Sequence, residues 1–406
     1  MPKISVGNSC FIKGLDGPIA VAANFVPRFW ATIWSDVLKA DHADATRISS
    51  LSAVDRLYLS AENQLGIDRL DSIIASLDFD ELEGVFGGFL TQLRNESQVA
   101  AIVRHDTWKS ALAFIDDVVS HLSPTSEKHV ADLSGRLLRL RRLYAQLAPS
   151  PPKTPNPIRA LPALVVEDLY EIFNPQSPRN PFRTEALKWR NYMIFLTLLH
   201  LGLRRGEILI LPANAINEDF DYATNRPSHW INVTGTPEED TLDPRASKPS
   251  IKTAASHRQL PVSNEVIRIV DRYVDNYRGR PNHPFLINSQ KMKPLAKQSL
   301  ADVFGAASKS LSDRSLKLLA AVRRSSVTPH DLRHTAAVLR LTKYRNSGLD
   351  LDTAIEKLRV FFGWSVESAM PRHYAKAYFE SALSDVWDDS FDSFVDILRG
   401  IDGVAQ

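Results

Sequence analysis

One cysteine, Cys10, in 406 residues rules out an internal disulfide, and no grouping of Cys and His has the spacing of zinc ligands. Long apolar runs are missing as well. The strongest, residues 192–203, contains His200 and falls well below the roughly 18 uninterrupted apolar residues of a membrane span. The opening MPKISVGNSC has no apolar core of a secretory signal. These absences point to a reducing cytoplasm and away from a membrane. Carboxylate clusters able to hold a divalent cation are lacking, so neither a metal nor a cofactor is expected. Charge of one sign is scarce too: 49 Lys and Arg against 47 Asp and Glu leave a net +2, too little to announce a nucleic-acid partner by itself.

What is present describes a folded protein. An apolar share of 44% and a charged share of 24% exclude the disordered and fibrous classes, and the length suits two or three domains. The small net charge hides asymmetry. Residues 301–345 hold nine Lys or Arg against three Asp, whereas residues 376–406 hold two basic residues against seven acidic ones. A basic working surface followed by an acidic tail is the natural reading.

Six prolines (149, 151, 152, 155, 157 and 162) crowd a short stretch where helix continuation is blocked and the chain is stiffened, so a domain boundary is placed there. Before it, residues 29–38, 82–93 and 110–122 repeat apolar side chains at three-to-four spacing, which predicts an all-helical first domain without strands. Residues 136–144 add Arg136, Arg139, Arg141 and Arg142 among leucines. They form either a solvated helix face or a surface for DNA phosphates. Beyond the prolines, residues 185–200 predict a long buried helix closed by Gly202, and 204–211 a second, short one. Residues 229–233 and 257–262 predict a small antiparallel sheet with Lys252 in or near its connecting turn. Helical spacing then resumes from Asn264. The expected fold class is mainly α with a small antiparallel β-sheet.

Three segments carry candidate chemistry, and each is ordinary alone. In the first, Thr328-Pro329-His330-Asp331-Leu332-Arg333-His334, Thr328 suits the N-cap, Pro329 the first helical position and Asp331 the first turn. That start sets His330 and Arg333 on one face, near a helix end that favours anions. By itself the pair reads as surface or capping residues. In the second, Gly202-Leu203-Arg204-Arg205-Gly206-Glu207, an arginine follows a tight turn and a carboxylate three residues on could fix it; an ordinary ion pair is the plain reading. In the third, Gly363-Trp364 precedes Arg372-His373-Tyr374-Ala375-Lys376, where Tyr374 alone would be a half-buried packing residue.

Taken together and in order, these segments and Lys252 resemble the catalytic domain of the tyrosine recombinases of the phage integrase type. That family's pattern runs from an arginine in a Gly-x-Arg-x-x-Glu turn, through a hairpin lysine, a His-x-x-Arg helix start and a Gly-His or Gly-Trp pair, to a nucleophilic tyrosine. The resemblance covers roughly residues 160–390 and implies Tyr374, Arg204, Lys252, His330, Arg333 and Trp364 as catalytic, with Glu207 buttressing Arg204. It implies a helical core-binding-like domain at 1–148, a linker at 149–162, a catalytic domain at 163–390 and an acidic tail at 391–406 that docks on a neighbouring subunit or on its own domain. Two departures stand out. Trp364 and Tyr374 are ten residues apart, one more than is usual in the family, which leaves Tyr378 as a competing nucleophile. Trp364 stands where many members have His, and an indole donates a hydrogen bond but cannot shuttle a proton.

The implied chemistry is metal- and ATP-independent transesterification of double-stranded DNA through a 3′-phosphotyrosine. Two arginine forks match the non-bridging oxygens, His330 manages a proton and Lys252 protonates the leaving 5′-oxygen. Assembly as a homotetramer on paired sites is implied. Arg205, His334, Arg372, His373, Arg323, Arg324 and Arg340 are further candidate DNA contacts. A type IB topoisomerase, a non-catalytic DNA-binding protein of the same fold and a helical interaction module are the competing readings.

Overall fold

A computed structural model of the chain describes residues 4–6, 17–96, 101–122, 135, 138–139, 142, 159–221, 225–234, 243–245, 248–249, 251 and 254–374. The chain divides into two compact units, Met1–Asn156 and Pro157–Gln406. Among the described residues no helix is long and apolar enough to cross a membrane.

The described residues of the first unit include helices α1 (Phe29–Ile33), running on into a π-helical turn at Trp34–Leu38, α2 (Asp44–Leu65), α3 (Leu70–Ser76), α4 (Phe79–Asn95) and α5 (Ala101–Leu122). The Asp78 carboxylate caps α4 by accepting the Glu81 N–H at 3.0 Å, the usual device for satisfying a free donor of the first turn. Trp30, Trp34, Tyr58, Phe86, Phe89, Trp108 and Phe114 fill the core. The expectation of an all-helical unit needs correction. A two-stranded antiparallel ribbon joins β1 (Ile4–Val6) to β2 (Gly17–Ile19), pairing Ile4 with Ile19. Three-residue strands are too short to display a period of two. Arg139 and Arg142 are helical and exposed; Arg136 and Arg141 lie outside the described residues.

In the second unit, α6 (Ala163–Phe173), α7 (Glu185–Leu201) and α8 (Arg205–Ile210) lead into a three-stranded antiparallel sheet, β3 (Ile216–Asp221), β4 (Arg226–Val233) and β5 (Arg258–Pro261), in the order β3-β4-β5. Helices α9 (Asn264–Tyr273), α10 (Lys297–Lys309), α11 (Asp313–Ala321), α12 (Pro329–Asn346) and α13 (Leu351–Phe362) follow. Strands β4 and β5 fall where the sequence predicts them, with Ile231 facing Leu260. Strand β3 lies outside the predicted pair, because its sequence INEDFD offers an edge strand with little apolar alternation.

Helix α7 is the axis of this unit. Ile194, Phe195 and Leu198 are fully buried, each contributing roughly 1.5–3 kcal/mol from burial. It stops at Gly202, which has φ +57°, and a Cβ there would meet the Phe362 ring at 2.3 Å. Glycine is therefore demanded twice, by backbone conformation and by the close approach of α13. Helix α13 ends the same way at Gly363, φ +59°, where a Cβ would meet the Ala255 carbonyl oxygen at 2.8 Å. Two helix C-termini and the turn leading into β5 thus converge on one place.

Candidate active site

Helix α12 begins as its sequence dictates. The Thr328 hydroxyl accepts the Asp331 N–H at 3.4 Å, and the Asp331 carboxylate accepts the Thr328 N–H at 2.8 Å, with Pro329 in the first turn. This start turns Arg333 inward. Its two terminal nitrogens donate to the carbonyls of Gly202 at 2.5 Å and Phe362 at 2.6 Å, the C-terminal ends of α7 and α13. Those ends carry partial negative charge, so they are suited to seat a guanidinium. Burial, the first cause, and the Arg204 charge lower its proton affinity, offset in part by Glu207; an arginine stays charged nonetheless.

Arg204 sits just before α8. It donates to Glu207 Oε1 at 2.6 Å, to the Ser256 hydroxyl at 2.7 Å and to the Gly363 carbonyl at 3.1 Å. Glu207, 1% exposed, is the common partner of the site's cations. It accepts the Arg204 N–H at 2.8 Å and two bonds from Arg258 at 3.2 and 3.0 Å, and lies 3.8 Å from Arg333. Burial pushes its carboxyl up, but the hydrogen bond and charge of Arg258 and the charges of Arg333 and Arg204 outweigh this and hold it below the ordinary range.

Tyr374 closes the site. The helical residues 370–374 bring it onto Trp364, whose ring stacks on it at 5.5 Å and 18° and on Phe362 at 4.8 Å and 14°. Its hydroxyl lies 2.7 Å from His334 Nδ1, and His334 Nε2 lies 3.0 Å from His330 Nε2. Burial raises the Tyr374 phenol well above its usual value, with Arg333 pulling the other way. His334 is pushed down to about 3, first by burial and then by the positive fields of His330, Arg159, His373 and Arg333. His330 is lowered by burial and by Arg159, Arg333 and Arg324, against Asp331.

Six of the residues that the sequence singled out, Arg204, Glu207, His330, Arg333, Trp364 and Tyr374, therefore share one site. Lys252 and Tyr378 lie outside the described residues. Of the candidate DNA contacts, Arg205, Arg323 and Arg372 are exposed. Arg324 lies 3.7 Å from Asp331. Arg340 turns inward, its guanidinium 3.4 Å from the Phe361 ring centre and donating to the His200 carbonyl at 3.3 Å. Arg258 and Ser256 belong to none of the motifs that the sequence displays. Arg258 lies 51 positions from the carboxylate it grips, a distance at which no spacing rule operates. His334, a candidate DNA contact by sequence, instead touches the tyrosine. Among the described residues no group of three or more His, Cys, Asp or Glu could hold a metal ion.

A mainly helical unit with a short antiparallel sheet, gathering arginines and histidines around one buried tyrosine, has the features of a tyrosine recombinase catalytic domain. The phage integrase family model matches residues 161–381, more than half of the 406-residue chain, and the chain belongs to that family. No curated protein matches it. Similar solved structures include XerA recombinase (15% identity, 91% of this chain and 98% of that one, TM-score 0.35). Another is XerH site-specific recombinase bound to difH substrate in a pre-cleavage complex (13% identity, 86% and 91%, TM-score 0.39). A third is the integrase from mycobacterium phage Brujita (15% identity, 89% and 92%, TM-score 0.30).

Proposed function

We propose that this chain is a site-specific DNA recombinase that cuts and rejoins strands through a 3′-phosphotyrosine on Tyr374, acting as a homotetramer on paired sites. The observation that carries the reading is the convergence of Arg204, Arg333, Arg258 and two histidines on the surroundings of a single phenol. In-line attack by the Tyr374 oxygen on phosphorus expels a 5′-hydroxyl, and a second strand's 5′-hydroxyl reverses the step without ATP. Negative charge grows on the non-bridging oxygens, where the guanidinium groups of Arg204 and Arg333 stabilise it. Glu207 orients Arg204, and the Trp364 indole packs on the nucleophile. Lys252 serves as the acid for the leaving oxygen.

Tyr374 is 1% and Arg333 3% exposed, and the Arg333 fork is taken by two carbonyls. Both groups are thus shielded from solvent. Exposed Arg205, Arg323, Arg139 and Arg142 supply sequence-independent phosphate contacts.

The test is a denaturing-gel assay with nicked suicide substrates carrying candidate sites, comparing wild type with Tyr374→Phe. Wild type alone should form a protein–DNA adduct while both bind DNA. An adduct persisting in Tyr374→Phe moves the nucleophile elsewhere, with Tyr378 the first candidate; no adduct in wild type on any bound substrate overturns the reading.

A further inference from the structure

A buried phenol has a proton problem. Tyr374 can attack phosphorus only as it loses its proton, yet at 1% exposure it has no direct route to water. The side chain at hydrogen-bond distance from its hydroxyl is His334, itself only 5% exposed, and beyond His334 lies His330, which is exposed. The three side chains form a line of two short contacts, 2.7 and 3.0 Å, running from the nucleophile to the surface. Residues 330 and 334 are four apart on α12, the spacing that stacks two side chains on one helix face.

We propose that His334 is a catalytic residue and, with His330, forms a proton relay that empties Tyr374 into solvent during attack. The inference rests on the covalent reading above. The Tyr374 O–H breaks as N–H forms on His334 Nδ1; the His334 Nε2–H breaks as N–H forms on His330 Nε2. The phenolate electron pair makes the new P–O bond, and the P–O bond to the 5′-oxygen breaks. His330 ends as an imidazolium and releases its Nδ1 proton to water. This direction fixes the resting tautomers: His334 carries its proton on Nε2 and His330 on Nδ1.

Charge around His334 explains why it passes the proton instead of keeping it. Its own helix supplies His330 and Arg333, the segment before α6 supplies Arg159, and the tyrosine's turn supplies His373. Each opposes a positive charge on the His334 ring. A second positive charge at the buried ring is disfavoured, whereas simultaneous acceptance at Nδ1 and donation at Nε2 leaves His334 neutral throughout.

The decisive experiment measures single-turnover adduct formation by the full-length protein at several pH values. Two substrates are used, the ordinary nicked one and one whose leaving 5′-oxygen is replaced by sulfur, which departs without a proton. His334→Gln should lose at least about a hundredfold on both substrates, because the missing function acts on the nucleophile and not on the leaving group. Its rate should climb with hydroxide concentration towards that of wild type, a pH profile that a merely structural defect does not produce. His334→Ala should regain adduct formation when imidazole is added, and equal DNA binding by all variants reports that they are folded. A His334→Gln rate equal to or above wild type, or full recovery on the sulfur substrate, overturns the relay while leaving the covalent reading intact. Absence of adduct in wild type on both substrates removes the covalent reading and the relay with it.

Discussion

Replacing Glu207 by Gln is the perturbation that most directly tests how the site is held together. The carboxylate is 1% exposed and meets Arg204 and Arg258 at 2.6–3.2 Å, with Arg333 at 3.8 Å. Glutamine keeps the shape and one acceptor, but removes the charge and turns an NH2 toward guanidinium groups that only donate. Breaking a buried pair from one side costs about 3–5 kcal/mol, because the partner charges remain buried without compensation. The unit that holds the site spans Pro157–Gln406. In a domain of that size each kcal/mol moves Tm by roughly 2–4 °C, so the transition at neutral pH should fall by about 6–20 °C.

The pH dependence sharpens the test. The folded carboxyl titrates below its ordinary value of 4.5, so its contribution is fully present above that value and is lost as pH falls through the folded one. The gap between wild type and Glu207→Gln should therefore be wide at neutral pH and close progressively below pH 4.5. Calorimetry or circular dichroism across that range reads both effects. A Tm within about 2 °C of wild type at neutral pH would refute the claim that this carboxylate organises the site's cations.

Arg333→Lys puts one ammonium where a fork serves two carbonyls, so adduct formation should drop at least about a hundredfold while most DNA affinity survives; equal losses in a binding and a cleavage assay would contradict the clamp. Gly363→Ala forces a side chain into the left-handed region at about 1–2 kcal/mol, besides its contact with the Ala255 carbonyl, and should lower Tm by at least roughly 2 °C; an unchanged melting curve would contradict the packing. Chelation of divalent metal should leave adduct yield unchanged, since arginines neutralise the phosphate in the proposed chemistry, and a strict metal requirement in the same gel assay would count against it.

Local chemistry was legible and distant chemistry was not. The capping box at Thr328 and Asp331, the glycine stop of α7 and the turn at Gly202–Glu207 are written in adjacent residues, so their geometry follows from their order. That Arg204, Arg333 and Tyr374 meet was suggested by family resemblance and not by periodicity. Strand β3 stayed hidden because INEDFD pairs through its backbone. The Arg258–Glu207 pair and the Tyr374–His334 contact bridge 51 and 40 positions, and nothing in a single sequence marks such partners.

Three of the acceptors that seat the two arginines are main-chain carbonyls: those of Gly202, Phe362 and Gly363. A carbonyl has no proton to gain or lose over the range in which the neighbouring histidines titrate. It also cannot be replaced by exchanging a side chain. Acidification can thus titrate the histidines and Glu207 while leaving these three seats chemically unchanged. Sequence drift can reach those arginine seats only by altering how two helices end.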